Sequence, residues 1–273
     1  MLQTLLDRED GAALPLPPTL AERYGGPLRF PDGGTHVFAN FVSTIDGIVS
    51  FAVPGQDRAR HVSGGYPGDR LILGLLRAVA DAVIVGAGTL RKEPDSIWTA
   101  AAAFPDARAD FAALRSALGA AARPLTIIVT ASGAIDLRLP AFTEGGPVLI
   151  ATTARGATRL ASAPAHVGVR IVSEREPLRA SELVRIATEV TGGRRILTEG
   201  GPTLFGQFLE ERAIDELFLT IAPQLAGRTP EAPRNSLVDG VMFLPANAPR
   251  ARLVSLKAGD DYLFTRYAFG RRA

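Results

Sequence analysis

The sequence predicts an α/β protein built on one mostly parallel sheet, and three observations lead there. Short, continuously apolar runs recur at Ala82 to Val85, Leu125 to Thr130, Val148 to Thr152 and Val169 to Val172, the pattern of strands buried on both faces. Helical patterns fall around Leu71 to Val79, Ala107 to Leu118, Ala154 to Ala161 and Ser181 to Val190, and strand–helix alternation is what parallel neighbours require of their crossovers. The last two strand patterns, Ala251 to Lys257 and Tyr262 to Phe269, meet directly at Gly259-Asp260-Asp261, which reads as an antiparallel hairpin closing the sheet. No repeat or linker divides the chain, so residues 35–273 form one domain. Residues 1–34, rich in Pro and Gly, form an N-terminal arm with one short helix, for which Thr19 and Glu22 stand at capping-box spacing.

The first strand of the domain is Thr35 to Ser43, apolar on both faces except at Asn40. A buried amide needs partners, either neighbouring backbone or a ligand at the strand end. Asp46-Gly47 then marks a hairpin or bend before Ile48 to Phe51. The polar, Gly-rich segment from Ala52 to Gly68 is long enough for a loop that covers a site. Asp69 is placed to cap the next helix, where Leu71, Ile72, Leu75, Leu76 and Val79 share one face. Arg77 lies off that stripe, as a solvated residue or as one reaching toward an anionic ligand.

Two strand-to-helix junctions carry the chemistry. In RILTEGGPTLFGQF, Arg195 to Thr198 read as a strand followed by Glu199, Gly200, Gly201, Pro202 and Thr203. Paired glycines accept positive φ and leave room beside the backbone, Pro202 suits the first helical position, and Thr203 can cap the helix. The free N–H groups of such a helix start suit a phosphate, although an ordinary turn has the same composition. Strand Ala82 to Val85 ends in a second junction of this kind, Gly86-Ala87-Gly88-Thr89-Leu90-Arg91. Two junctions in one chain point to a cofactor laid across strand ends. Neither matches the G-x-G-x-x-G or P-loop pattern, which argues against a Rossmann domain or a P-loop ATPase. Thr130, Ser132, Thr152 and Thr153 put hydroxyls at further strand ends beside Arg155.

Composition removes several function classes. Without cysteine there is no disulfide, thiolate nucleophile or Cys-based zinc site, and His36, His61 and His166 lie too far apart in sequence to suggest a metal site. The most apolar stretch, Leu71 to Gly88, is interrupted by Arg77 and Asp81, and no apolar run reaches membrane-spanning length. The first residues are acidic where a secretory leader needs positive charge, so a cytoplasmic location is expected. A net charge of +2 from scattered arginines, with no basic–aromatic run, speaks against nucleic acid as a partner.

The motifs NFVSTIDGIVS from Asn40, VIVGAGTLRKEP from Val83 and RILTEGGPTLFGQFLEERAIDELFLTIAPQLAGR from Arg195 resemble the reductase domain of the riboflavin-biosynthesis deaminase-reductases. They are still more similar to its stand-alone bacterial relatives, the pyrimidine-reductase-like proteins. The resemblance spans about Phe38 to Phe269. It implies a dihydrofolate-reductase-like fold, NADPH as hydride donor, a small heterocyclic substrate and a homodimer. It further implies that Thr89, Gly200, Gly201, Pro202, Thr203 and Leu204 hold the cofactor; Ser43, Gly86, Glu93, Thr130 and Ser132, at or near strand ends, complete the expected cofactor set. Glu199 corresponds to an acidic residue that contacts substrate, and it is the expected catalytic residue. Asn40, Asp46, Arg58, Arg60 and Arg77 are the expected substrate-binding residues. One of Arg91, Arg155 or a neighbouring hydroxyl such as Ser132 would receive the cofactor 2′-phosphate. The chain departs from the family in carrying Gly55-Gln56-Asp57-Arg58-Ala59-Arg60-His61 where the riboflavin reductases have Ser-x-Trp, and Lys92-Glu93-Pro94 where Asp-Asp-Pro is more usual. Arg58 and Arg60 then replace the missing motif as partners for a substrate phosphate. The expected activity is hydride transfer to a phosphoribosylamino-pyrimidine. A pterin reductase of the dihydrofolate type and a nucleotide-binding protein without turnover are the alternatives, separated by whether NADPH is oxidised.

Overall fold

Ten strands form one sheet in a computed structural model that describes residues 1–53 and 55–270. In chain order they are β1 (Gln3–Asp7), β2 (His36–Thr44), β3 (Ala82–Gly86), β4 (Leu125–Thr130), β5 (Val148–Thr153), β6 (Val167–Ser173), β7 (Arg195–Thr198), β8 (Glu216–Ala222), β9 (Ala251–Gly259) and β10 (Tyr262–Phe269). Their spatial order is β1-β9-β10-β8-β2-β7-β3-β4-β5-β6. From β8 to β6 all neighbours are parallel. The β9–β10 hairpin joins antiparallel to β8, and β1 adds to its far edge. The expected class, a mostly parallel sheet with a C-terminal antiparallel hairpin, is the one observed.

The apolar runs are continuous because successive residues enter different cores. Val83 and Val85 of β3 pack on one face with Leu71 and Leu75 of α2 (Pro67–Val79) and Phe111 of α4 (Arg108–Ala117). Ala82 and Ile84 pack on the other, with Leu183 and Ile186 of α6 (Ala180–Thr191) and Phe205 and Phe208 of α7 (Pro202–Glu210). Two short helices, α3 (Ala87–Lys92) and α5 (Ala154–Arg159), follow β3 and β5 directly. Gly192 ends α6 in the left-handed region at φ 66°, as a C-terminal glycine should.

Several local expectations need correction. Helix α1 (Pro18–Tyr24) starts after Pro17 with no side-chain cap; Thr19 lies inside the first turn, so the capping box does not form. The arm also supplies the edge strand β1, whose largely exposed residues give no buried period to read. Of the two readings of Asp46-Gly47, the bend is the one observed: Gly47 takes φ 80°, and Ile48–Ser50 leaves β2 to pair with Asn235–Ser236. A helical turn, Ala59–Val62, interrupts the expected loop from Ala52 to Gly68.

The arm is held by a buried charge cluster. Arg266 of β10 reaches Glu216 at 2.7 Å and Glu9 of the arm at 3.1 Å, and donates to the Arg29 carbonyl at 2.7 Å. Its guanidinium lies 4.9 Å from the ring centres of both Phe30 and Phe218. Burial alone would raise the Glu216 carboxyl, but the hydrogen bond from His36 and the charge of Arg266 outweigh it and hold the group low. A carboxyl held low stabilises the fold above its unfolded-state value and loses that contribution as pH falls through its native value. Arg266→Leu strands two buried carboxylates, so a loss of about 3–5 kcal/mol is expected at pH 7. Denaturant titrations should show the deficit shrinking as pH falls through the carboxylate range; a pH-independent deficit would assign it to packing alone.

Candidate active site

The site follows from strand length. β7 stops at Thr198, opposite Ala39 of β2 and Ile84 of β3, while β2 runs on to Thr44 and β3 to Gly86. A short strand between longer ones leaves a notch at the carboxyl edge, where open α/β sheets bind ligands. The Glu199 N–H bonds to the Ile84 carbonyl at 2.9 Å and turns the chain across that notch. A cleft of about 420 Å³ opens there, lined by Asn40, Asp69, Arg77, Glu93, Glu199, and the two Gly-containing junctions.

Arg77 is buried and paired within the protein. Its Nε and Nη2 donate to the two carboxylate oxygens of Glu199 at 2.7 and 2.6 Å, a bidentate pair with side chains only 8% and 9% exposed. Nη1 donates to the Ile97 and Thr99 carbonyls at 3.2 and 3.4 Å. The turn of α2 that carries Arg77 is itself anchored, because Arg115 of α4 donates to the carbonyls of Ala78 and Ala80 at 3.0 and 2.7 Å. The expected substrate residue Arg77 therefore acts first on Glu199, fixing its carboxylate plane.

Helix α2 presents Asp69, Leu73 and Arg77 to the cleft, one residue per turn on a single face. Asp69 does not cap α2: the helix begins at Pro67 after Tyr66, and Asp69 sits within the first turn, 8% exposed. Burial pushes its carboxyl up to about 6; the hydroxyls of Thr220 and Ser63 pull the other way, and the charge of Glu199 adds to the rise. Among the described residues Asn40 Oδ1 is buried without a hydrogen-bond partner, the condition of a group that can take a donor from a ligand.

Both junctions leave space for a backbone-bound group. Gly201 precedes α7 at φ −63° and ψ 175° with no side-chain cap, and Pro202 occupies the first helical position. The positive φ expected of the Gly pair is absent, since the extended approach of the chain does not need it, and Thr203 lies inside the helix rather than capping it. The first helical bond runs from Phe205 N to Gly201 O, so the N–H groups of Thr203 and Leu204 have no intrahelical acceptor. The two glycines differ. Among the described residues, a Cβ on Gly200 would lie 2.5 Å from Leu204 Cδ2, whereas one on Gly201 would meet only Thr89 Oγ1 at 3.5 Å, and one on Gly88 nothing within 4 Å. Packing demands Gly200; the openness at Gly201 and Gly88 suits a close ligand. These junctions fit the pyrophosphate of a dinucleotide.

The cleft gathers Asn40, Arg77, Gly86, Thr89, Glu93, Glu199, Gly200, Gly201, Pro202, Thr203 and Leu204, and leaves out others. Asp46 is exposed and belongs to the loop frame: it accepts from Thr44 Oγ1 at 2.6 Å and from the N–H groups of Ala226 and Gly227. Those contacts, the Thr44 hydroxyl foremost, hold its carboxyl at about 2. Ser43 is buried, and it lines no part of the cleft. Thr130 and Ser132 also lie outside it, accepting from the N–H groups of Gly133 and Ala134. Arg58 and Arg60 border a neighbouring cavity of about 460 Å³ with Arg91; Gly88 and Lys92 are shared with the cleft. Arg58 pairs there with Asp95 at 3.1 Å. Sequence reasoning missed Asp69, Lys92, Trp98 and Asn235. For Asp69 the signal was present, in its spacing of eight from Arg77.

The raised carboxyl of Asp69 has a consequence for stability. Native Asp69 keeps its proton where the unfolded chain, with the ordinary value of 3.8, has lost it, so its contribution falls as pH rises from about 4 to 6 and stays unfavourable above. Asp69→Asn is expected to be more stable than the parent at pH 8 by about 2–3 kcal/mol, with the gap closing near pH 4. Equal urea midpoints at pH 8 would contradict this.

The comparisons with known proteins agree with the geometry. The RibD C-terminal domain family matches residues 35–263. The chain is 23% identical over 209 residues to a 2,5-diamino-6-ribosylamino-4(3H)-pyrimidinone 5′-phosphate reductase of Archaeoglobus fulgidus, covering 77% of this chain and 88% of that protein. Among solved structures, a pyrimidine reductase-like protein from Corynebacterium diphtheriae superposes with a TM-score of 0.67 at 22% identity, over 87% of this chain and 93% of the other. The riboflavin biosynthesis reductase of Saccharomyces cerevisiae gives 0.58 at 16% identity, over 93% and 99%. Because that family model spans residues 35–263, most of the chain, the chain belongs to the RibD C-terminal domain family.

Proposed function

We propose that the protein is an NADPH-dependent reductase of the riboflavin-pathway type, acting on a phosphoribosylamino-pyrimidine. The observation that carries this reading is that both uncapped helix starts, at Gly86 and Gly201, open into the same cleft as the Glu199–Arg77 pair and the unpartnered Asn40 acceptor. Glu199 and Asn40 would be an unnecessary desolvation cost in a cleft that only held a nucleotide. The name of the Archaeoglobus relative supports the substrate class.

Gly86, Thr89 and Gly200 to Leu204 would hold the cofactor, whose dihydronicotinamide supplies the hydride. The protein's share is alignment. Glu199, its plane set by Arg77, keeps carboxylate lone pairs free for the N–H edge of a pyrimidine, and Asn40 Oδ1 adds a second acceptor. The arginine cavity beside the cleft, with Arg58, Arg60 and Arg91, suits the substrate phosphate, since guanidinium groups bind phosphate oxygens in a forked geometry. Thr130, Ser132 and Arg155 are left for the adenosine end of the cofactor.

The deciding assay is NADPH oxidation by the purified protein with the phosphoribosylamino-pyrimidine and, in parallel, with dihydrofolate. Turnover on the pyrimidine is expected, with Glu199→Gln lowering kcat/KM about 10- to 100-fold, the scale of a lost charged hydrogen bond. Replacing Arg58 and Arg60 together by Ala should raise KM for the phosphorylated substrate. A preference for dihydrofolate with an unaffected double variant would overturn the substrate assignment.

Gly201→Val tests the cofactor turn. Valine tolerates the φ and ψ found there, so the variant should fold, losing at most about 1 kcal/mol at the helix N-cap, while NADPH affinity, measured by calorimetry, falls at least tenfold. Parental affinity would make the junction an ordinary turn.

A further inference from the structure

The reductase reading leaves one hydrogen unaccounted for. Converting a ribosylamine to its open-chain ribitylamine adds two electrons and two hydrogens. The hydride carries both electrons and one hydrogen, so the other must arrive as a proton. The carboxyls of the cleft differ in their partners. Glu199 is bound through both oxygens by Arg77. Asp57 is paired with Lys92 at 3.2 Å. Glu93 accepts the Ala59 N–H at 3.0 Å and the Ser96 hydroxyl at 2.9 Å. Among the described residues lining the cleft there is no histidine. Asp69 alone of these carboxyls is buried with no ion pair among the described residues.

Resting on the reductase function proposed above, we propose that Asp69 is the proton donor of the reaction, protonating the ribosyl ring oxygen while Glu199 and Arg77 hold the pyrimidine. The C1′–O bond breaks and its electrons go to the oxygen, which takes the Asp69 proton and leaves as the chain hydroxyl. The lone pair of the ribosylamino nitrogen forms a C=N bond to C1′, which is left electrophilic. Hydride addition at C1′, from a dihydronicotinamide, returns that pair to nitrogen and removes the positive charge. Asp69 then recovers a proton through the open side of the cleft.

The surroundings of Asp69 suit this task. It stands on the cleft-facing stripe of α2, two turns before Arg77. The groups around it from other elements are the hydroxyls of Ser63 and of Thr220 on β8, the carboxylate of Glu199 after β7, and Tyr262 on β10. The Tyr262 hydroxyl is occupied, donating to the Ser63 carbonyl at 2.9 Å, and burial with the nearby charge of Asp69 pushes it upward. None of these groups is a cation that would force Asp69 to ionise. Burial and a like charge both favour its protonated form, the condition of a carboxyl that can deliver a proton near neutral pH.

The test is the single-turnover rate of the full chain with NADPH and the phosphoribosylamino-pyrimidine between pH 5 and 9. The parent should lose rate about tenfold per pH unit once Asp69 ionises. Asp69→Asn should be slower by about 10²- to 10⁴-fold, with that limb gone and KM within a few-fold of the parent. Asp69→Glu should recover part of the rate with a displaced limb. Independently of turnover, infrared difference spectra of the cofactor-free protein should show a protonated carboxyl band that disappears between pH 5 and 8 and is missing in Asp69→Asn. A parent that turns over while Asp69→Asn keeps the rate and the limb, or changes KM alone, overturns the role of Asp69 and leaves the reductase reading intact. A parent inactive on this substrate at every pH overturns the reductase reading and the proton-donor role with it.

Discussion

The cleft depends on the bidentate pair between Arg77 and Glu199. It joins three pieces of chain far apart in sequence: α2, the turn after β7, and the segment whose Ile97 and Thr99 carbonyls complete the arginine's bonds. Two charges with this little solvent are expensive to bury, and their mutual attraction repays the cost only when geometry and the remaining hydrogen bonds are good. Both conditions hold here, since every nitrogen of the guanidinium donates. The arginine side chain has no freedom left, and its carboxylate partner is immobilised with it. Preorganisation of that kind is what a site needs if its task is alignment rather than covalent chemistry.

Sheet topology explains why this pair sits where a ligand can reach it. The notch exists because β7 is short, and the two helices that begin beside it, α3 and α7, send their N-termini to the same edge. Parallel strands necessarily collect the starts of their crossover helices at the carboxyl end, so positive dipole ends and free N–H groups accumulate there. The antiparallel hairpin β9–β10 plays no such role. It closes the sheet beside β8 and, through Arg266, locks the arm against Glu216.

Much of this was legible in the sequence, for identifiable reasons. The parallel strands announced themselves because both faces are buried, and the junctions because Gly, Pro and an acidic residue follow a strand directly. Legibility failed where a side chain's partner lies far along the chain. Nothing local to Arg77 says that its partner is Glu199, and Asp69 read as a helix cap because Asp near a helix start usually is one. Pro67 had already begun the helix two residues earlier, which turned Asp69 inward. Asp46 is a further case of a distant partner: its place in a family-like motif says nothing of the turn at 226–227, whose N–H groups meet both of its oxygens. The edge strand β1 escaped because an exposed edge carries no apolar period.

The molecule contains two kinds of buried acid, and the contrast between them bears on function. Glu216 and Glu9 are met by Arg266, with two aromatic rings against the cation, and the carboxyl of Glu216 is held low. That arrangement stabilises a junction and has no reason to exchange protons. Asp69 is met by hydroxyls and by the charge of Glu199, and its carboxyl is raised. A protein selected only for stability would put an amide or an apolar residue there, because an uncompensated carboxyl lowers stability at neutral pH. Such a cost is found where chemistry requires it, and it lies here on the same helical stripe as the arginine that organises the cleft.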